Sequence, residues 1–216
     1  MTSKYPRIGS VLVVALAAAI PAISATAGQA AKEGPTCKRA GSKTVAQNRA
    51  VRVYTVTHSD AKRLIACRRS TGRRATLFSN AGEELYTSST FDSVRLRGYY
   101  VAWSSSTTDS SCKASCPDPN YNATTSSIRL HNVRTRRSRI VSDESPVSRA
   151  LVVSNRGGVA WASHSAGMGP VEIRISVRAG DIRVLDRGRI DPRSLSIEIE
   201  IISWKRDGVE RFARLR

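Results

Sequence analysis

The chain has 216 residues and a formal charge of +18, with 35 Lys and Arg against 17 Asp and Glu. That length suits one domain with a core of its own and requires no second. After residue 20 apolar residues recur only in short stretches, which excludes a later membrane-spanning helix. The positive field favours anionic partners. Of the 35 basic residues 28 are Arg, a bias that suits planar contacts to phosphate or carboxylate and that codon usage alone also produces.

The first segment reads as an export signal. Lys4 and Arg7 precede the apolar run Val11–Ile20, Pro21 breaks it, and Ala25-Thr26-Ala27 supplies the small residues before a cut. Cleavage is expected after Ala27, with Ala30 as the second choice. A spanning helix needs about 20 apolar residues, and this run is half of that. Losing Lys4 and Arg7 lowers the charge from +18 to +16. The organisation is then residues 1–27 as signal peptide, 28–42 as an N-terminal segment tied by Cys37, and 43–216 as one β-repeat domain, secreted or held in the cell envelope.

Four cysteines remain, Cys37, Cys67, Cys112 and Cys116. An even number in an exported chain implies two disulfides, with three possible pairings. Cys112 and Cys116 are separated by three residues in a Ser, Asp and Pro-rich loop where a local bridge is feasible, which leaves Cys37 for Cys67. Zinc needs four clustered ligands, and this set has one close pair.

From residue 43 onward, short alternating runs rich in Val, Ile, Tyr and Trp are punctuated by Gly, Ser, Asn and Asp, an all-β pattern. Val51-Arg-Val-Tyr54, Tyr100-Val-Ala-Trp103, Gly158-Val-Ala-Trp161 and Ile201-Ile-Ser-Trp204 each carry an aromatic at or near a strand end. A short strand precedes each aromatic, over 43–48, 93–97, 148–154 and 194–198. A hairpin follows it: 63–69 with 74–78, 128–133 with 139–141, 171–177 with 182–185, and in the last unit 209–215 alone, one strand short. Periods of about 40 to 50 residues with four strands each are the signature of propeller blades.

The third unit, Leu151-Val-Val-Ser-Asn-Arg-Gly-Gly-Val-Ala-Trp161 through Ile182-Arg-Val-Leu185, resembles a TolB-type or WD40-like propeller repeat. Ser154-Asn-Arg-Gly157 stands where such repeats carry Ser-Pro-Asp-Gly, and the resemblance extends in outline over 43–216. It implies a β-propeller-like array of about four blades, completed by the N-terminal segment that Cys37 pins. A β-sandwich is the alternative, since regularly spaced short strands suit both.

In equivalent blades the turns between third and fourth strands share one rim. Arg68, Arg69, Arg73 and Arg74 would then gather with Arg134, Arg136, Arg137, Arg139 and Arg178 into a basic edge for an anionic envelope polymer or protein. The bland alternative is that they are solvated turn residues. Nothing in the chain matches a nucleic-acid-binding motif, and no aromatics are interleaved with the arginines. Trp103, Trp161 and Trp204 end apolar strands and read as core. The longest connection, Ser104 to Ser127, contains Asp109, Cys112, Cys116, Asp118 and Tyr121, and loops of this length tend to be functional or disordered.

For catalysis, His58 and His164 follow Tyr54 and Trp161 at similar distances and would approach one another in a ring, while His131 sits in no known motif. Glu198 and Glu200 alternate with Ile197 and Ile199 on an expected strand. No nucleophile elbow, phosphate loop or zinc-protease helix is present, and nothing asks for a metal or cofactor. The leading expectation is therefore an exported, non-enzymatic binding protein. The competing one is a secreted hydrolase with its site around His58, Ser104 to Ser127 and His164.

Overall fold

The computed structural model describes residues 36–81, 87–110, 123–143, 150–164 and 169–215. The export segment, Cys112 and Cys116 lie outside the described residues. Every element within them is a strand, and the strands form four antiparallel sheets in chain order. The first contains β1 (Lys43–Gln47), β2 (Val51–His58), β3 (Ala61–Arg68) and β4 (Arg74–Ser79). The second contains β5 (Thr87–Arg97), β6 (Tyr100–Asp109), β7 (Ala123–Asn132) and β8 (Arg137–Ser142). The third contains β9 (Ala150–Val153), β10 (Val159–His164), β11 (Val171–Ser176) and β12 (Ile182–Gly188). The fourth has three strands, β13 (Ile190–Glu198), β14 (Ile201–Arg206) and β15 (Val209–Arg214). Within each sheet every strand pairs with the next in sequence, so local turns set the topology. Ser59-Asp60 and Asp207-Gly208 hold positive φ at both positions, the two-residue turn whose twist matches that of the flanking strands.

The recurring aromatic shows how the sheets pack. Successive strand residues face opposite sides, so in β6 Val101 and Trp103 join Val51, Val53, Leu64 and Leu77 of the first sheet, while Ala102 joins Leu151, Val153 and Trp161 of the third. In β10 the division repeats: Val159 and Trp161 turn back to the second sheet, whereas Ala160 and Ala162 meet Ile202 and Trp204 of the fourth. The Val-Ala-Trp pattern thus places bulk toward the preceding sheet and a small residue toward the following one. Trp103, Trp161 and Trp204 are 2%, 2% and 4% exposed, which makes them core.

Among the described residues no sheet precedes the first, and Tyr54 occupies the position that Trp holds elsewhere. Tyr54 is buried with Val56, Ile65 and the Cys37–Cys67 disulfide. The N-terminal segment therefore covers the face that a neighbouring sheet covers in the other units. Among the pairings the sequence leaves open, Cys37 with Cys67 is the one observed, with Cα atoms 5.8 Å apart.

Two polar features are built into the stack. Glu172, fully buried on β11, pairs with Arg174 at 2.8 Å and with Arg187, as a buried carboxylate must. Gly157 in the β9–β10 turn has φ of +84°, and a Cβ there would lie 2.6 Å from Tyr100 Cε1. Gly180 has φ of +76° and open space around it. Gly157→Ala is expected to destabilise by about 2 kcal/mol and Gly180→Ala by about 1, the left-handed backbone being common to both and the ring contact to one. Denaturant unfolding of the two variants measures that difference, and equal losses would remove the ring from the argument.

The connection from Ser104 to Ser127, expected as a loop, begins and ends as strand, and its residues 111–122 lie outside the described residues. Ser104–Asp109 extends β6 and Ala123–Ser127 extends β7, paired residue for residue from Ser104↔Ile128 to Asp109↔Ala123. The run lacks apolar alternation, the signal by which strands are found, yet Thr is β-branched and suits the pleat. Cross-strand hydroxyl pairs hold the extension: Ser89 with Thr107 at 3.1 Å, Ser105 with Ser127 at 3.0 Å, and Thr108 with Thr124 at 3.2 Å.

Candidate anion-binding cleft

The turns after β3 and β7 close in the same way. The amide of Gly72 donates to Arg68 O at 2.8 Å, and that of Arg136 donates to Asn132 O at 2.7 Å. Asn132 Oδ1 also accepts from the amides of Arg134 and Thr135, an Asx turn that fixes the second loop. Both closures need a left-handed residue at the fifth position, which is Gly72 at φ 64° in the first and Arg136 at φ 63° in the second. The β11–β12 turn also uses glycine, Gly180. A side chain in this conformation costs on the order of 1 kcal/mol, and such strain concentrates where function needs it.

Between the two turns lies a small cleft lined by Arg68, Arg73, Arg74, Ala75, Val133, Arg134 and Arg136. Five cations from adjacent sheets thus share one opening. Tyr99, in the β5–β6 turn, organises two of them: the guanidinium carbons of Arg68 and Arg134 lie 5.7 and 5.9 Å from its ring centroid. The turn that carries Tyr99 is held by its backbone, since the Tyr99 carbonyl accepts from the Val133 amide at 2.9 Å. Cation–π contacts of this kind are worth about 0.5–1 kcal/mol at exposed sites. Their larger effect is to limit where the two planes can point.

Among the described residues the charge in the cleft has no acidic partner, since no Asp or Glu forms an ion pair with any of the five arginines, and Arg68 Nε is shielded from solvent without a hydrogen-bond acceptor. His131, 4% exposed, shares a hydrogen bond between Nδ1 and Ser138 Oγ at 2.8 Å. Burial, and secondarily the Arg136 charge, hold its pKa below the usual histidine value.

The remaining four arginines of the expected edge do not line this cleft. Arg69 turns to a second opening lined by Thr36, Cys37, Lys38, Thr44, Gln47 and Arg52, and donates to Gln47 Oε1 at 2.9 Å. Arg137 lines a groove with Tyr100, Leu130 and Thr135. Arg139 is a cross-sheet clamp, since its guanidinium donates to Ser176 Oγ at 2.9 Å and to the carbonyls of Gly157, Ser176 and Val177 at 3.2–3.4 Å. Burial lowers its pKa. A strand position facing the next sheet, unlike a turn position, commits the side chain to that sheet. Arg178 is exposed in the β11–β12 turn. Tyr99 went unnoticed in the sequence because it falls in a turn, outside the alternating runs.

The catalytic candidates His58 and His164 lie on different sheets, the first and the third. His58 is exposed at the end of β2, and His164 on β10 shares a hydrogen bond between Nδ1 and Gly169 O at 2.7 Å. No group of three His, Cys, Asp or Glu suited to a metal occurs among the described residues. Glu198 and Glu200 do not share a strand, because β13 ends at Glu198 and Ile199 turns the chain at φ 54°. No family model matches the chain, and no curated protein matches it.

Proposed function

We propose that this chain is an exported, non-enzymatic binding protein that docks an anionic envelope or extracellular partner through the cleft between its β3–β4 and β7–β8 turns. The observation carrying this reading is the convergence of five arginines from two sheets, with no ion pair to an acid among the described residues. The Cys37–Cys67 disulfide fits an oxidising compartment, and the expected leader supplies the route there. A propeller-like arrangement of TolB or WD40 type accounts for the four consecutive sheets and for aromatics that turn back toward the preceding unit. A two-sheet sandwich would not separate the strands into four sheets.

Because a chain this basic adheres to any cation exchanger, the test needs a control of equal charge. Arg68→Glu with Arg136→Glu is expected to weaken retention on a phosphate-bearing matrix by at least tenfold, about 1.4 kcal/mol, relative to Arg193→Glu with Arg211→Glu. Arg193 and Arg211 are exposed on the fourth sheet. Elution across a salt series reads the difference, and identical elution of the two double variants would reduce the cleft to ordinary surface charge.

A further inference from the structure

Resting on that reading, we infer that the cleft is a phosphoryl site that prefers a dianionic phosphate, as borne by a phosphate monoester, to a carboxylate. Three features of the cleft converge on this ligand.

The first is charge. A carboxylate brings one negative charge to five guanidinium groups, whereas a phosphate monoester brings nearly two at neutral pH. With no described acid paired to these arginines, the second charge has direct value.

The second is the direction of the donors. Arg68, Arg73 and Arg74 enter from one turn, Arg134 and Arg136 from the other. A carboxylate presents two oxygens in one plane and is satisfied by one bidentate arginine. A phosphate monoester presents three terminal oxygens in a tetrahedral fan and accepts from both turns together. Tyr99 stacking restrains Arg68 and Arg134 beforehand, which lowers the ordering cost of binding.

The third is strain. Arg136 occupies a left-handed position that Gly72 and Gly180 fill in the corresponding turns. Glycine there would relax the backbone, so the arginine is retained against local preference. The fold does not need this side chain, which makes Arg136→Gly a variant that separates binding from folding.

The experiment is calorimetric titration of the purified chain with phenyl phosphate at pH 8 and, at matched ionic strength, with benzoate and diphenyl phosphate. Phenyl phosphate is expected to bind at least about tenfold more tightly than either monoanion. Arg136→Gly is expected to weaken phenyl phosphate at least about tenfold with an unchanged or raised Tm. Arg68→Lys keeps the charge but loses the Nε–H donor and the fork, and is expected to narrow the preference for phosphate over benzoate.

Affinity for the three anions within about twofold, or phenyl phosphate binding unaffected by Arg136→Gly, overturns the phosphoryl assignment. If the matrix experiment above still distinguishes its two double variants, the docking reading survives that failure. Loss of both results removes both.

Discussion

Cys37→Ala with Cys67→Ala is expected to destabilise the domain by about 3–4 kcal/mol, the loop-closure value for the 30-residue separation between the two positions. The effect has a second origin in the fold. Tyr54 and Cys67 are fully buried on one face of the first sheet, and among the described residues the tethered N-terminal segment provides the cover that a neighbouring sheet gives elsewhere. Untethered, that cover must be held by weaker contacts. Among these are the Arg52 hydrogen bonds to Cys37 O at 2.8 Å and to Ser42 Oγ at 3.1 Å. Guanidinium unfolding of the double variant measures the loss, and a change under about 1 kcal/mol would mean the segment docks without its tether.

Trp204→Ala is expected to cost about 3–5 kcal/mol, the range for removing a large aromatic from a core. Trp204 fills the space between the third and fourth sheets with Ile173, Ile202 and Leu215. Its indole Nε1 also donates to Asp186 Oδ2 at 2.8 Å, and Arg206 donates to Asp186 Oδ1 at 2.7 Å. Trp204→Phe separates the two contributions, keeping much of the volume and losing about 1–2 kcal/mol with the hydrogen bond.

The same pair sets an acid limit. Burial pushes the Asp186 carboxyl upward, but hydrogen bonds from Trp204, the Arg187 amide and Arg206, together with the Arg206 charge, bring it below the ordinary value of 3.8. A carboxyl more acidic in the folded than in the unfolded state contributes stability that is complete above that ordinary value. The contribution fades as the pH falls through the folded value. Trp204→Phe should therefore raise the pH of acid unfolding as well as lower stability at neutrality. Identical acid midpoints in the two proteins would place the limit on another group.

Much of the architecture was legible because the sheets pack face to face and leave period-two alternation in the sequence. The Val-Ala-Trp motif is the clearest instance, where bulk and smallness alternate because each side meets a different neighbour. The Ser and Thr-rich extension of β6 and β7 was not legible, because neither face is apolar and alternation has nothing to report.

At the cleft, turn equivalence placed Arg68, Arg73, Arg74, Arg134 and Arg136 together. Arg69, Arg137, Arg139 and Arg178, expected on the same edge, do not line the cleft, since equivalence locates a backbone and says nothing of which side a side chain leaves by. Arg139, the third residue of β8, donates to the carbonyls of Gly157, Ser176 and Val177, acceptors that no local pattern records.

The hydroxyl extension of the second sheet has a consequence for folding. Elsewhere a strand that slips by one residue exposes its apolar side to water, and that penalty enforces alignment. In the extension a one-residue slip of Ser104–Thr108 against Thr124–Ser127 replaces one hydroxyl by another, and burial barely distinguishes the two alignments. The correct alignment must therefore be inherited from the base, where Val101 and Trp103 face one sheet and Ala102 and Leu130 the other. The base acts as the fixed end of a zipper whose teeth are interchangeable, so assembly of the extension follows assembly of the core.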